Sequence, residues 1–145
     1  MLRVRITELL AVMDLTDAAD SQIGGYSHGM RKKTAIAAAL LHRPRVVLLD
    51  EPFEGVDPVS AVAVRTILDR FRGAGGTVLF SSHAMDLVER MCDFVVVMSH
   101  GTVLAAGPLE QVRMPGRSLE DTFISMIGAA PTDPSVLGWL GDRQS

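Results

Sequence analysis

The stretch Val46–Pro52 constrains the fold most, because its four apolar residues end abruptly in two carboxylates and a proline. Such a short apolar run is typical of a strand buried on both faces of a parallel sheet, although its length leaves a buried helix open. As a strand, it places Asp50 and Glu51 at its carboxyl end, where open α/β sheets bind ligands. Neighbouring strand residues point to opposite faces, so one acid could hold a hydrated Mg²⁺ while the other polarises a water. A solvated Asp-Glu pair is the plainer alternative.

Three further motifs accompany this strand in a fixed order. The signature-like turn Tyr26–Met30 lies upstream, Gly55–Pro58 follows within a few residues, and Ser81–His83 closes the next apolar run. These segments resemble motifs of ABC-type ATPase domains. Tyr26–Met30 resembles the signature motif and Val46–Pro52 the Walker B segment. Gly55–Pro58 resembles the D-loop, and Ser81–His83 the segment with the switch histidine. The order and spacing of the four motifs make this resemblance specific.

Periodicity and end signals predict helices and strands in alternation along the chain. Ser27 and Asp57 are predicted N-caps, and Ser118 is predicted to cap the last helix. An amphipathic helix at the start of the chain is expected to bury Val4, Ile6, Leu9, Leu10 and Met13. The predicted helices are 2–13, 34–41, 58–73, 84–91, 107–112 and 122–127, and the predicted strands are 46–49, 77–82, 93–99 and 102–106, with His100-Gly101 as a hairpin turn.

The predicted fold class is α/β. The resemblance implies a partial P-loop NTPase (ABC ATPase) domain, with mostly parallel core strands flanked by helices and a C-terminal β-hairpin and helix. Residues 1–127 would form this truncated domain. Within it, 1–42 would be part of the helical subdomain and the signature helix, and 43–127 the second half of the catalytic core. We expect 128–145, which contains Trp139, to be a loosely ordered tail.

Composition narrows the function classes. The 145 residues are 48% hydrophobic and carry a net charge of −3, with no basic stripe to meet the phosphates of a nucleic acid. No stretch approaches the roughly 18 apolar residues that a membrane span needs. If the protein serves a membrane, it is therefore expected to do so from the cytoplasmic side through another chain, peripheral at the inner face of the plasma membrane.

The resemblance implies a role for each acid and for the histidine. Asp50 would hold Mg²⁺ through water, and Glu51 would be the general base for the water that attacks ATP. His83 would contact the γ-phosphate. Hydrolysis of this kind depends mostly on positioning and on charge stabilisation.

The resemblance also implies a head-to-tail dimer with two ATP molecules between its domains, and a transmembrane permease subunit as partner. Ser27, His28 and Gly29 would close over the γ-phosphate of the ATP held by the dimer partner, and Asp57 would reach across the dimer. His28 and Met30 depart from the common glycine and glutamine. With the segment Ser118–Phe123, they look most like the subfamily that serves ABC-2-type exporters.

Two other departures concern lysines. Lys32-Lys33 replaces a Gln-Arg pair that is frequent in the family, and we expect a solvated helix face there. No P-loop, Gly-x-x-x-x-Gly-Lys-Ser/Thr, can be drawn in these residues, since the only two lysines follow no glycine. The chain alone is therefore predicted not to be an ATPase, and its Asp50 strand to expose apolar surface and an unpaired edge.

Three functions remain open at this point. The chain could be the C-terminal part of an ABC exporter ATPase whose P-loop half is encoded separately or has been lost from the start of this sequence. It could instead be a non-catalytic module that supplies the signature motif and Asp57 in trans to an intact ABC ATPase subunit. The third alternative is a decayed product without function, although Asp50, Glu51, Asp57 and His83 are all retained.

Overall fold

The structure, a computed structural model, describes residues 2–128. They divide into two compact units, one ending at His83 and the other beginning at Ala84. The first unit holds α1 (Leu2–Val12), α2 (His28–Leu41), β1 (Val46–Leu49), α3 (Pro58–Gly73) and β2 (Thr77–Phe80); the second holds α4 (Met85–Met91), β3 (Phe94–Ser99), β4 (Thr102–Pro108), α5 (Leu109–Val112) and α6 (Leu119–Ile127).

A parallel pair of strands forms the centre of the first unit. β1 and β2 run side by side in register, so that Leu49 lies opposite Phe80. One face of β1 is covered, because Val47 is only 4% exposed. The helix α2 packs against β1 and contributes the buried residue Ile36. The core of this unit also contains Met13, Leu15, Val64 and Leu68.

The other face of β1 is open. Leu48 is 74% exposed, and Val46 and Leu79 are also exposed. Within residues 2–128, β1 pairs only with β2, so one edge of each strand carries no neighbour. The expectation of exposed apolar surface and an unpaired edge next to the Asp50 strand is confirmed, whereas burial of this strand on both faces was a wrong prediction.

Side-chain caps set the starts of α2 and α3. Ser27 Oγ accepts a hydrogen bond from the Met30 N–H, and α2 begins at His28, directly after the predicted cap. Asp57 caps α3, and Pro58 at its first turn needs no hydrogen-bond partner for its nitrogen. Both N-cap predictions are confirmed.

The first helix is correctly predicted in extent, but its apolar face is not buried. α1 ends at Val12 and contains no buried residue; Val4 and Ile6 are exposed. Met13, which is buried, follows the helix end. The helical spacing therefore identified the helix correctly, but within the described residues Leu9 and Leu10 are only half-buried and Val4 and Ile6 are exposed.

The second unit is a hairpin packed with helices. β3 and β4 pair antiparallel, joined by a turn in which His100 (φ 48°) and Gly101 (φ 75°) both adopt the left-handed region. Two consecutive positive φ angles match the twist of a tight hairpin, as the sequence predicted. Val95, Leu109 and Leu119 form its core.

The last described helix is held by an extended cap. Ser118 and Asp121 form a reciprocal capping box, and the N–H of Leu119 donates to the Glu89 carboxylate of α4. Among residues 2–128, no helix is long and apolar enough to cross a membrane. The predicted tail lies, except for Gly128, outside the described residues.

Candidate active site

The pairing of β1 with β2 brings three polar residues to one strand end. Because Leu49 and Phe80 are in register, the next residues, Asp50 and Ser81, are neighbours. Ser81 Oγ donates to Asp50 Oδ1 and accepts from the Glu51 N–H at 2.9 Å. Ser81 therefore fixes both predicted acids at once. Within the motif Ser81–His83, only His83 had a predicted role; the parallel register of the two strands was the signal that could have identified Ser81.

Asp50 offers a donor set that suits Mg²⁺. It is exposed, and its carboxylate lies beside the Ser81 hydroxyl, so the local oxygens are hard ligands of the kind that magnesium prefers. Residues 2–128 contain no group of three or more His, Cys, Asp or Glu side chains that could hold a metal. A magnesium ion here would consequently need most of its ligands from waters and from phosphate oxygens, which is its usual mode of binding.

Glu51 and His83 form a hydrogen-bonded pair. Glu51 Oε1 lies 2.9 Å from His83 Nδ1. The hydrogen bond and the negative charge of Glu51 raise the pKa of His83 above its ordinary value of 6.5, because both favour the imidazolium form. An acid and a histidine so arranged can share a proton, and they lie next to the Asp50 carboxylate.

The backbone of Glu51 departs from the predicted strand. β1 ends at Leu49, and Glu51 has φ 43°, in the left-handed region that L-residues rarely adopt. The prediction that Asp50 and Glu51 continue the strand with alternating directions is therefore wrong. The two side chains nevertheless have different partners, because the turn at Glu51, rather than the strand pleat, separates them.

Lys32 contacts the turn that begins at Glu51. Its Nζ donates to the carbonyl oxygens of Glu51 and, at 2.7 Å, of Glu54, and it lies 3.8 Å from Glu54 Oε2. The side chain of Lys32 is 19% exposed, and Lys33 is 5% exposed. The expected solvated face at Lys32-Lys33 was a wrong prediction, since spacing along one helix could not reveal carbonyls contributed by a distant turn.

The turn at Ser27–Gly29 contacts the same loop a few residues further on. The His28 ring packs against Gly55, so closely that a Cβ added at Gly55 would lie 2.8 Å from His28 Cδ2. A Cβ at Gly29 would lie 3.7 Å from the Gly55 carbonyl oxygen. Gly55 itself has φ 67°, which suits glycine. The start of α2 and residues 51–57, hereafter the 51–57 loop, therefore pack together.

Asp57 ends this loop as the cap of α3. Its Oδ1 accepts from the N–H groups of Val59 (3.1 Å) and Ser60 (2.9 Å). Hydrogen bonds from the Ser60 side chain and backbone lower the pKa of Asp57. All seven predicted site residues lie in the first unit. Asp50, Glu51 and His83 form one cluster, and the 51–57 loop joins it to Ser27, His28, Gly29 and Asp57.

Known proteins of one class resemble this chain. The family model described as ABC transporter matches residues 2–54. The ABC transporter ATP-binding protein NatA of Bacillus subtilis (strain 168) is 37% identical over 125 residues, which are 86% of this chain and 51% of NatA. The methionine import ATP-binding protein MetN of Thermobifida fusca (strain YX) is 37% identical over 144 residues, which are 98% of this chain and 45% of MetN.

A solved structure of the ATP-binding subunit of an ABC transporter has a TM-score of 0.82 and 30% identity, over 87% of this chain and 54% of that chain. The predicted α/β fold class is thereby confirmed, because most of this chain shares the fold of that ATP-binding subunit. The chain spans about half the length of these relatives. Because one relative is named for import, likeness to them does not distinguish export from import.

Proposed function

We propose that this chain, which carries part of the ABC transporter ATP-binding fold, acts in an ATPase subunit that couples ATP hydrolysis to membrane transport. The observation that carries the proposal is the Glu51–His83 pair, with Nδ1 and Oε1 2.9 Å apart, beside Asp50 at the end of a parallel strand. Carboxylates and a histidine at such a strand end suit the activation of water next to a bound phosphate.

Each residue of the cluster has a separate task in this proposal. Glu51 accepts a proton from the attacking water, and His83 as imidazolium stabilises negative charge on the γ-phosphate. Asp50 holds Mg²⁺ through water, and that ion neutralises charge on the phosphates when it is bound. Ser81 orients the Asp50 carboxylate with one hydrogen bond and holds the backbone N–H of Glu51 with the other.

The second group of residues serves an ATP shared with another subunit. α2 begins at His28, so Ser27, His28 and Gly29 lie at a helix N-terminus, where N–H groups and the helix dipole favour an anion. In a head-to-tail dimer, these residues close over the partner's γ-phosphate, and Asp57 contacts the partner. The P-loop, which these 145 residues do not contain, is supplied from outside them.

The remaining expectations belong to the same proposal. The ATPase acts with a transmembrane permease subunit at the cytoplasmic face of the plasma membrane. The signature motif with His28 and Met30, together with Ser118–Phe123, favours an ABC-2-type exporter. The chain by itself is expected to hydrolyse no ATP, because a base and a switch histidine without a phosphate cradle bind the nucleotide poorly.

A second candidate is a non-catalytic module that lends its signature motif to an intact subunit. The observation that favours it is the exposed position of Ser27 and His28 together with the absence of a P-loop sequence among the 145 residues. A product without function is the third alternative, and the same experiment addresses all three.

The test is phosphate release by the native gene product, purified from its own cells with the partners it retains. If Glu51 is the base, Glu51→Gln lowers the rate by about 100-fold or more, since general bases contribute roughly that much. Glu110→Gln, a surface carboxylate in the second unit, is the matched control and leaves the rate unchanged. Loss with Ser27→Arg but not with Glu51→Gln would support the lending module. ATP hydrolysis that neither variant changes would refute both functions.

A further inference from the structure

We propose that Lys32 is a positioning residue for Glu51: its ammonium holds the turn at Glu51 in the conformation that directs the carboxylate to His83. The catalytic significance of this inference rests on the proposed function, in which Glu51 is the base. The positioning itself is a property of the described residues.

The contacts of Lys32 converge on a single turn. Nζ donates to the carbonyl oxygens of Glu51 and Glu54, and the Glu54 carboxylate lies 3.8 Å away. An ammonium has three donors and no acceptor, so it suits a site where carbonyl dipoles converge. The Glu51 carbonyl also accepts from the Glu54 N–H at 3.2 Å, which closes the turn. Lys32 thus bridges the two ends of the turn from α2.

The turn that Lys32 holds is unfavourable by itself. Glu51 has φ 43°, a region that non-glycine residues enter only where the surroundings impose it. Ser81 Oγ accepts from the N–H of Glu51, which holds the peptide group before the Glu51 Cα. Lys32 Nζ donates to the carbonyl oxygen of Glu51, which holds the peptide group after it. The Cα between these two fixed peptide groups can project its side chain in few directions. The observed direction brings Oε1 within 2.9 Å of His83.

The burial of Lys32 distinguishes this role from that of a surface charge. Its side chain is 19% exposed, and with Asp50 and Pro52 it lines a cavity of about 250 Å³. The neighbouring Arg31 is exposed on the same helix. A lysine that gives up most of its hydration is expected to have polar partners, and here these are the two carbonyl oxygens and the Glu54 carboxylate.

Nuclear magnetic resonance titration of His83 tests the positioning without requiring hydrolysis. In Lys32→Met, we expect the pKa of His83 to fall toward 6.5, as in Glu51→Gln, because the carboxylate is no longer held at the imidazole. If Lys32→Met acted only by removing a positive charge near His83, the pKa of His83 would rise. The direction of the pKa shift therefore distinguishes loss of positioning from loss of charge. His42 and His100 serve as internal references. Arg31→Met, which removes the adjacent exposed charge, should leave the His83 pKa unchanged.

Kinetics on the native gene product give the second measurement. Lys32→Met should lower kcat by about 10- to 100-fold with KM for ATP little changed, since a displaced group affects the transition state more than binding. Lys32→Arg, which can still donate to both carbonyls, should restore most of the rate. If Lys32→Met fails to fold by circular dichroism, Lys32→Ala, which also lacks a side-chain donor, replaces it in both measurements.

The outcomes separate the inference from the proposed function. An unchanged or raised His83 pKa in the folded variant would overturn the positioning role, whatever the ATPase result. A lowered pKa, together with a rate that Glu51→Gln leaves intact, would support the positioning role and refute Glu51 as base. A lowered pKa with a lowered kcat, restored by arginine, supports both.

Discussion

Replacement of Gly55 by alanine tests the packing of His28, at the start of α2, against the 51–57 loop. The added Cβ would lie 2.8 Å from His28 Cδ2, which is too close for two carbon atoms unless one of them moves. It would also lie 3.3 Å from His28 Nε2. The backbone at Gly55 has φ 67°, which alanine also disfavours. The substitution thus combines a steric and a conformational cost at one position.

The two costs can be separated with a second substitution. The left-handed backbone costs alanine about 1–2 kcal/mol, and turning the exposed His28 ring away from its rotamer costs about 0.5–1.5 kcal/mol, for a total loss of about 1.5–3.5 kcal/mol in Gly55→Ala. In a His28→Ala background, the ring is absent, so only the conformational cost of about 1–2 kcal/mol should remain. The difference, about 0.5–1.5 kcal/mol, is the coupling energy between the two positions.

Urea unfolding of the purified chain, followed by circular dichroism, measures all four members of this cycle. The comparison is valid where the slope with denaturant is the same for each protein, so that the midpoint reports stability. Equal losses for Gly55→Ala in the two backgrounds would contradict the contact between His28 and Gly55. A loss below about 0.5 kcal/mol in the parent background would contradict the left-handed backbone as well.

Three further predictions concern single sites. In the folded chain the pKa of His83 lies above 6.5. The His83–Glu51 pair therefore stabilises the fold fully below pH 6.5, and this stabilisation is lost as the pH rises through the folded pKa. Titration of His83 by nuclear magnetic resonance in the parent and in Glu51→Gln checks the pKa shift. Leu68→Ala should cost about 2–5 kcal/mol of unfolding free energy, because Leu68 is 1% exposed, whereas Val59→Ala on the same helix, at 80% exposure, should change it by less than about 0.5 kcal/mol. Ser118→Ala removes the capping box of α6 and should cost about 1 kcal/mol in the same unfolding assay, while no loss would contradict the cap.

Local chemistry made much of the fold predictable from the sequence. Ser27, Asp57 and Ser118 are short polar residues directly before helices, where their side-chain oxygens satisfy free N–H groups. The two-residue turn at His100-Gly101 lies between apolar runs, as tight hairpins require. Signals of this kind act over a few residues, so a single sequence contains them in full.

The details of the site depend on contacts between segments that are far apart along the chain, and such contacts could not be predicted from the sequence. Lys32 looked like one of two charges on a solvated helix face, yet it reaches carbonyl oxygens 19 and 22 positions away. Ser81 looked like an ordinary strand end until register placed it beside Asp50. The left-handed Glu51 had no local signal at all, because nothing in its own side chain favours that backbone conformation.

The way in which Glu51 is held has a consequence for when its geometry can arise. Its partners Lys32, Ser81 and His83 lie 19, 30 and 32 positions away along the chain. Contacts of such separation form only after the intervening segments have closed into loops, and closure carries an entropic cost. A nascent chain that has not yet released His83 from the ribosome therefore contains both carboxylates without the arrangement that orients them. The site is a late product of folding, although its acids are adjacent in sequence.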